Sequence, residues 1–493
     1  MEGAIVVFIG KKRMNRKAGL AVPALSVLLT GCTVGPKYSK PAVPAAPSYS
    51  EQPPASYKEA NGWKTAQPSD SAVRANWWEL FGDARLNELE VQVGAANQRL
   101  QAAEANFRQA RAAIKYNRSF LFPTITAGAG IDTSRISTNS PTGIAGTQYG
   151  TFVLPISVSY DADLWGRVRR SIAAAREQFQ VSAADLENVK LELETDLAVD
   201  YFEARSLDSE KKLLDDTVIA YQKALELTQN RYSGGVASKA EVAQAQTQLY
   251  QTQAQDIEVG VARAEFEHAI AVLAGRVPEG FTLPSNPLTE QPPPIPFGVP
   301  SQLLERRPDI AGAERQVAAA NEQIGIAKSA FFPDLMISAT GGFQSGSIVD
   351  WFTWPSRYWA VGPQILQTVF DAGRRRAQVE SAVAGYDATV ANYRQTALTA
   401  FQEVEDNLST LRILEQEASK QHEATTAAEN SLQLSLNRYK GGLVTYLEVT
   451  TSQGTALSNE RTDVDLLRRR MDATVQLIKA LGGGWEVSNL PQG

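Results

Sequence analysis

Cysteine is almost absent from this 493-residue chain. Cys32 is the only one, so no disulfide can form within the chain. Histidine is nearly as scarce: His268 and His422 both fall in predicted helices and match no metal-ligand spacing. Excess positive charge is missing too, with 48 Lys and Arg against 54 Asp and Glu and a formal net charge of −6. That balance speaks against nucleic acid as a partner, which needs a basic face. There is no Gly-x-Ser-x-Gly, no His-Glu-x-x-His and no Gly-rich phosphate cradle, so nothing points to an enzyme or a cofactor site. Carboxylates are plentiful but sit at helix-surface spacing.

The absence that organises the chain is that of helix breakers. Between Arg167 and Ser233 there is no Gly and no Pro. The 65 residues from Arg167 to Arg231 would span about 98 Å as one helix. Such a helix is too long to pack inside an ordinary domain. Residues Arg374 to Arg438, also 65, repeat the design with only Gly385 interrupting.

Long apolar runs are missing as well. Ala18 to Leu29 is a 12-residue run, too short to span a bilayer as a helix. It follows a basic stretch of Lys11, Lys12, Arg13, Arg16 and Lys17 and precedes Leu29-Thr30-Gly31-Cys32. Together these read as a lipoprotein signal peptide over residues 1–31, with either Met1 or Met14 as its start. Cleavage would leave Cys32 as an acylated N-terminus, palmitate among its chains, anchoring the protein to lipid. Thr33 stands where the inner-membrane retention signal has Asp, which favours outer-membrane sorting.

Residues 32–83 read as an acylated, extended N-terminal segment rich in Pro, Ala, Ser and Tyr. Asp83 is the expected N-cap of a helix running to about Tyr116, with Leu86 and Leu89 opening its apolar stripe. After Phe122-Pro123 the period changes to two. Ile125, Ala127, Ala129 and Ile131 form one alternating run, and a polar loop is expected from about Asp132 to Thr151. Phe152, Leu154, Ile156, Val158, Tyr160, Ala162 and Leu164 form the next. Both are long enough for transmembrane strands of about 9–11 residues. The long helix follows, reverses at Gly234-Gly235, and returns from Lys239 to Ala274.

The pattern then recurs. A first repeat covers 84–283, a Pro-rich connector 284–300, a second repeat 301–484 and a tail 485–493. Gly166 pairs with Gly373, Arg231 with Arg438, Gly235 with Gly442 and Gly275 with Gly482, each at an offset of 207. A fixed offset implies duplication of a helix–strand–strand–helix–turn–helix unit. In the second copy Leu335 to Phe343 and Tyr358 to Phe370 read as strands, and a helix returns from Thr445 to Leu481.

The fold class is mainly α with a small β part. Four strands cannot wall a membrane pore alone, because open edges in lipid leave backbone groups unpaired at several kcal/mol each. Barrels begin at about eight strands, so strands must be pooled between copies, as a dimer or a trimer. The stripes Leu197, Tyr201, Ala204 and Val404, Leu408, Leu411 likewise need neighbouring helices. Many long helices around an axis make a tube; a solid coiled-coil stalk is the alternative.

The segments Trp77-Trp78-Glu79-Leu80-Phe81, Asp163-Leu164-Trp165-Gly166-Arg167, Arg307-Pro308-Asp309-Ile310, Phe370-Asp371-Ala372-Gly373-Arg374 and two Arg-Tyr-x-Gly-Gly turns resemble the TolC-like outer-membrane efflux family. Cys32-Thr33-Val34-Gly35-Pro36-Lys37-Tyr38 looks like its OprM-type lipoprotein branch. The resemblance implies a homotrimer with a 12-strand outer-membrane barrel, four strands per chain, above a periplasmic α-barrel tunnel. Its implied partners are a periplasmic adaptor protein and an inner-membrane RND-type pump, and its implied role is export of small toxic compounds. A duct for type I protein secretion is the alternative. It also implies an aperture at Glu241 and Glu448, with Tyr439 and Tyr446 packing the tip. Val444 stands where some members carry a basic residue, so no salt-bridge latch is expected from that position. Gly234, Gly235, Val236 and Ala237, and Gly441, Gly442, Leu443 and Val444, match the adaptor-docking turns. Trp351, Phe352, Trp354 and Trp359 suit a membrane-interface girdle, with pore capping by their loop as the alternative.

Overall fold

A computed structural model describes residues 33–43, 46–54, 76–139, 146–295 and 300–491. The predicted signal peptide and the lipidation site Cys32 lie outside the described residues. The chain divides into two compact units. The first comprises residues 33–39, Arg111–Glu177 and Ala318–Ala388; the second comprises the described parts of Lys40–Ala110, Gln178–Val317 and Thr389–Gly493.

The helices, in chain order, are α1 (Ala84–Ala96), α2 (Gln98–Ser119), α3 (Arg167–Ser233), α4 (Lys239–Leu273), α5 (Leu303–Arg306), α6 (Pro308–Ser329), α7 (Arg374–Lys440) and α8 (Tyr446–Ala480). The two long helices α3 and α7 are 67 residues each, as the missing breakers predict. A carboxylate opens both. Asp163 accepts the backbone N–H of Val168 at 2.8 Å and of Arg169 at 3.0 Å, and Asp371 accepts that of Arg375 at 3.3 Å. The helix expected from Asp83 to about Tyr116 is two helices. Asn97 breaks it by capping the second, its Oδ1 accepting the N–H of Arg99 at 2.8 Å and of Leu100 at 3.2 Å.

The first unit holds an antiparallel sheet of β1 (Thr124–Ala127), β2 (Gly130–Arg135), β3 (Gln148–Asp161), β4 (Asp334–Ser345) and β5 (Arg357–Leu366). Its order is β1-β3-β4-β5, with β2 also on β3. The register of β1 and β2 on β3 is the same, Ala127 facing Ile156 and Gly130 facing Val153, so they are one strand interrupted. The interruption lies opposite Pro155, which has no N–H to give the ladder. The expected polar loop is therefore shorter: β2 carries the strand on to Arg135, and β3 begins at Gln148. The fourth strand also ends earlier than expected. β5 stops at Leu366, paired with Asp334, because the next partner in register is Pro333.

That register sorts the residues by face. Ile125, Val158, Ala339 and Val361 lie in one row across the sheet; Phe152, Leu154, Ile156, Tyr160, Ile337, Phe343, Trp359 and Ile365 share their face. Thr126, Ser157, Thr340, Ser159, Ser338 and Gln364 lie on the other. Ile125, Ile156, Ile337, Trp359, Val361 and Ile365 are all exposed in the single chain. The N-terminal segment straps the same unit. Val34 N–H donates to the Trp165 carbonyl at 3.1 Å, and Arg170 donates to the Pro36 carbonyl at 3.3 Å. Gly325 leaves room there: a Cβ would stand 2.3 Å from the Arg170 side chain, which would have to shift.

In the second unit both predicted stripes are buried: Leu197, Tyr201, Ala204, Val404, Leu408 and Leu411. Asp83 caps α1 as expected and also binds the buried Arg205 at 2.8 Å, while its Oδ2 accepts the Tyr201 hydroxyl at 2.8 Å. Arg205 reaches on to the carbonyls of Asn286 and Pro287, which fastens the Pro-rich connector.

Candidate functional site: the hairpin turns

The two helical hairpins, α3–α4 and α7–α8, reverse at turns built alike. Gly235 (φ 73°) and Gly442 (φ 75°) take the left-handed conformation that a side chain resists. Val236 N–H closes back on the Arg231 carbonyl at 2.8 Å, and Leu443 N–H on that of Arg438 at 2.9 Å. Gly234 and Gly441 have ordinary backbone angles. Val236 and Leu443 stand exposed at the turns.

The predicted tip residues divide into two groups. Tyr439 and Tyr446 are buried, their rings edge to face at 5.3 Å. They join Tyr221, Leu225, Ala245, Leu249 and Val449 in a cluster drawn from all four helices, with Val444 packed at its margin. Burial pushes the Tyr446 phenol up to about 12. Glu241 sits at the edge. One of its oxygens closes a capping box with Ser238, and the other accepts the Tyr439 hydroxyl at 3.2 Å. Glu448 does not join that group: it is half-exposed and pairs with Arg438 at 2.7 Å.

Two contributors were not singled out from the sequence. Arg231 lays its guanidinium 4.7 Å over the Tyr439 ring and donates to the Lys440 carbonyl at 3.3 Å, tying one turn to the other. Arg438 supplies the cation that Val444 cannot. Both arginines belong to the Arg-Tyr-x-Gly-Gly pattern, so the signal was there. The aromatic loop also divides. Trp351 stacks on Phe352 at 4.8 Å and approaches Phe152 at 5.5 Å, whereas Trp354 and Trp359 are exposed.

Not all carboxylates are surface groups. Glu90 of α1 is 2 % exposed, and neither of its oxygens has a hydrogen-bond partner. Burial, then the charge of Glu194, holds it well above the usual carboxylate range. Glu194 of α3 is also buried and accepts the Trp77 indole N–H at 3.4 Å. Burial raises it to about 7, against the opposing pull of Lys190 and of that hydrogen bond. Asp472 is raised to about 7 by burial and by Glu203, against Arg468. Among the described residues no cluster of three or more His, Cys, Asp or Glu could hold a metal ion.

Comparison with known proteins agrees with this geometry. The profile of the family described as outer membrane efflux protein matches residues 91–276 and 299–483, one segment for each repeat. The toluene efflux pump outer membrane protein TtgF of Pseudomonas putida is 30% identical over 474 residues, covering 95% of this chain and 97% of TtgF. The pyoverdine export outer membrane protein OpmQ of Pseudomonas aeruginosa is 31% identical over 427 residues, 85% of this chain and 89% of OpmQ. The solved outer-membrane channel OprN superposes with a TM-score of 0.83 at 27% identity, over 92% of this chain and 100% of OprN.

Proposed function

The chain belongs to the outer membrane efflux protein family, and from that premise we propose that three copies close one lipid-anchored exit duct. The protein is an outer-membrane channel of an efflux pump. The observation that carries the pooling of strands between copies is the sheet: one face mostly apolar, the other mostly polar, and both edges open at β1–β2 and β5, while the number three is what the likeness to the family implies. A sheet with open edges cannot stand in hydrocarbon. Pairing β5 of one copy with β1–β2 of the next puts the apolar face to lipid and the polar face to water. Acyl chains on Cys32 would add a second hold on the membrane.

In this reading the turns at Gly234–Ala237 and Gly441–Val444 receive a periplasmic adaptor, which connects the duct to an inner-membrane RND-type pump. Val236 and Leu443 supply exposed apolar knobs, and the glycines permit close backbone approach. Glu241 and Glu448 of three copies line the periplasmic aperture, and Tyr439 holds Glu241 in place. A ring of carboxylates draws cations. The cargo is small toxic compounds, in line with a toluene pump and a pyoverdine exporter among the relatives. Deleting the gene tests the cargo: susceptibility to solvents and antibiotics should rise, and loss of a secreted protein instead would favour type I secretion. Labelling with radioactive palmitate tests the anchor, since Cys32→Ser should abolish incorporation.

A further inference from the structure

Where the first repeat passes from helix to strand and back, the first unit holds a half-open cavity of about 450 Å³. The end of α2, the start of β1, the end of β3 and the start of α3 border it. Its size falls within the range of cavities that take up drug-sized molecules. The register puts it on one side of the sheet. Thr124 pairs with Ser159 and Asp161 with Met336, and all four belong to the polar face.

The lining is of two kinds. Phe120 and Phe122 bring two exposed rings, and Met336 a polarisable thioether. Arg167, the last residue of the Asp163-to-Arg167 motif, brings a charge. One of its nitrogens donates to Asp161; the other N–H groups of this half-exposed guanidinium have no partner among the described residues.

The second repeat bridges the matching place with its own side chains. The two Phe-Pro pairs lie 210 residues apart, so Phe120 corresponds to Ala330 and Phe122 to Phe332. Phe332 is stacked on Trp165 at 4.7 Å. Gln367 donates to the Phe331 carbonyl at 3.2 Å and Arg375 to that of Ala330 at 3.4 Å, joining the end of α6 to the start of α7. Of the two copies of the duplicated unit, the first keeps two rings and a cation uncovered beside a cavity.

We propose that this cavity is a transit site for small aromatic anions moving through the duct. The inference rests on the channel reading above and deepens it: with the polar face turned to water, the cavity opens on the pore where strands give way to helices. Charge complementarity selects the anion. Arg167 offers forked N–H donors that match a carboxylate, and the one carboxylate on the wall, Asp161, is already paired with it. The two phenylalanine rings select an aromatic body. A half-open site holds its guest weakly, which suits passage, since a guest must leave as readily as it enters.

Photolabelling the purified full chain in detergent with para-azidobenzoate tests this. Illumination should attach label to the peptide carrying Phe120 and Phe122, and excess benzoate should suppress it. Cyclohexanecarboxylate lacks the aromatic ring and benzyl alcohol lacks the charge; each should protect at least about tenfold less well. Arg167→Gln and Phe120→Ala should each cut labelling about tenfold, with circular dichroism checking the fold of both. Alanine is what the second repeat carries at the latter position. In planar bilayers benzoate should lower the parent's single-channel conductance and leave that of Arg167→Gln unchanged. Label scattered over the chain, or equal labelling of parent and Arg167→Gln, would overturn the site and leave the channel standing. Labelling at the site without block by benzoate would overturn its place in the pore. Correct labelling of a protein that passes no current would overturn the channel reading, and the transit role with it.

Discussion

The substitution Glu194→Gln should change how stability depends on pH. Burial keeps the Glu194 carboxyl protonated in the folded chain up to about pH 7, against its ordinary 4.5. Between these values the folded state holds a proton that the unfolded chain has released. Stability therefore falls as pH rises through that window and levels off above it. The gap corresponds to about 3 kcal/mol for each subunit. Glutamine fills the same space, stays neutral, and keeps an oxygen for the Trp77 indole at 3.4 Å in the parent. The variant should match the parent near pH 4.5 and be more stable by up to about 3 kcal/mol at pH 8. Denaturant midpoints read by tryptophan fluorescence over pH 4.5–8 measure this. Asp472, also held at about 7, slopes the curves of parent and variant alike, whereas Glu90, raised in part by the charge of Glu194, is held less high in the variant. The difference between the two proteins is the readout, and parallel curves would refute the assignment of a buried proton to Glu194.

Tyr439→Phe removes the hydroxyl that holds Glu241 at 3.2 Å and leaves the ring in its cluster. A loss on the order of 1–2 kcal/mol at the tip should appear as higher conductance in planar bilayers with little change in melting temperature. Asp83→Ala strips the α1 cap and removes one of the two carboxylates paired with the buried Arg205, leaving Glu290 at 2.7 Å. It should cost roughly 2–4 kcal/mol for the lost cap and one charge-assisted hydrogen bond, visible as a lowered denaturation midpoint. Gly482→Ala puts a Cβ 2.0 Å from the Arg306 carbonyl at a φ of 92°. At least about 2 kcal/mol of strain should lower both melting temperature and yield.

The long helices were legible because the absence of Gly and Pro accumulates over sixty-odd residues and ends at glycines that must take positive φ. The strands were legible because alternation survives pairing: β1–β2, β3 and β4 keep the faces assigned from period two, while β5 takes its faces from its register on β4. What was misread is partner-dependent. Pro155 interrupts the opposite strand, not its own, and Pro333 ends β5 from across the ladder. Asn97 looked like one polar residue in a helix, and only its capping bonds reveal a break. Glu90 departs from the helix-surface spacing read for the carboxylates: it follows Leu86 by four and precedes Val93 by three, which puts it on the buried face of α1. The turns, with their glycines and tyrosines, were readable. The division of labour between Arg231 and Arg438 was not, since the same motif folds toward a different neighbour in each repeat.

Single-channel recording on the purified protein in planar bilayers tests the central claim most directly. The account predicts a small, cation-preferring conductance that grows when Glu241 and Glu448 are both changed to Ala. A bilayer that stays silent with both proteins would contradict it.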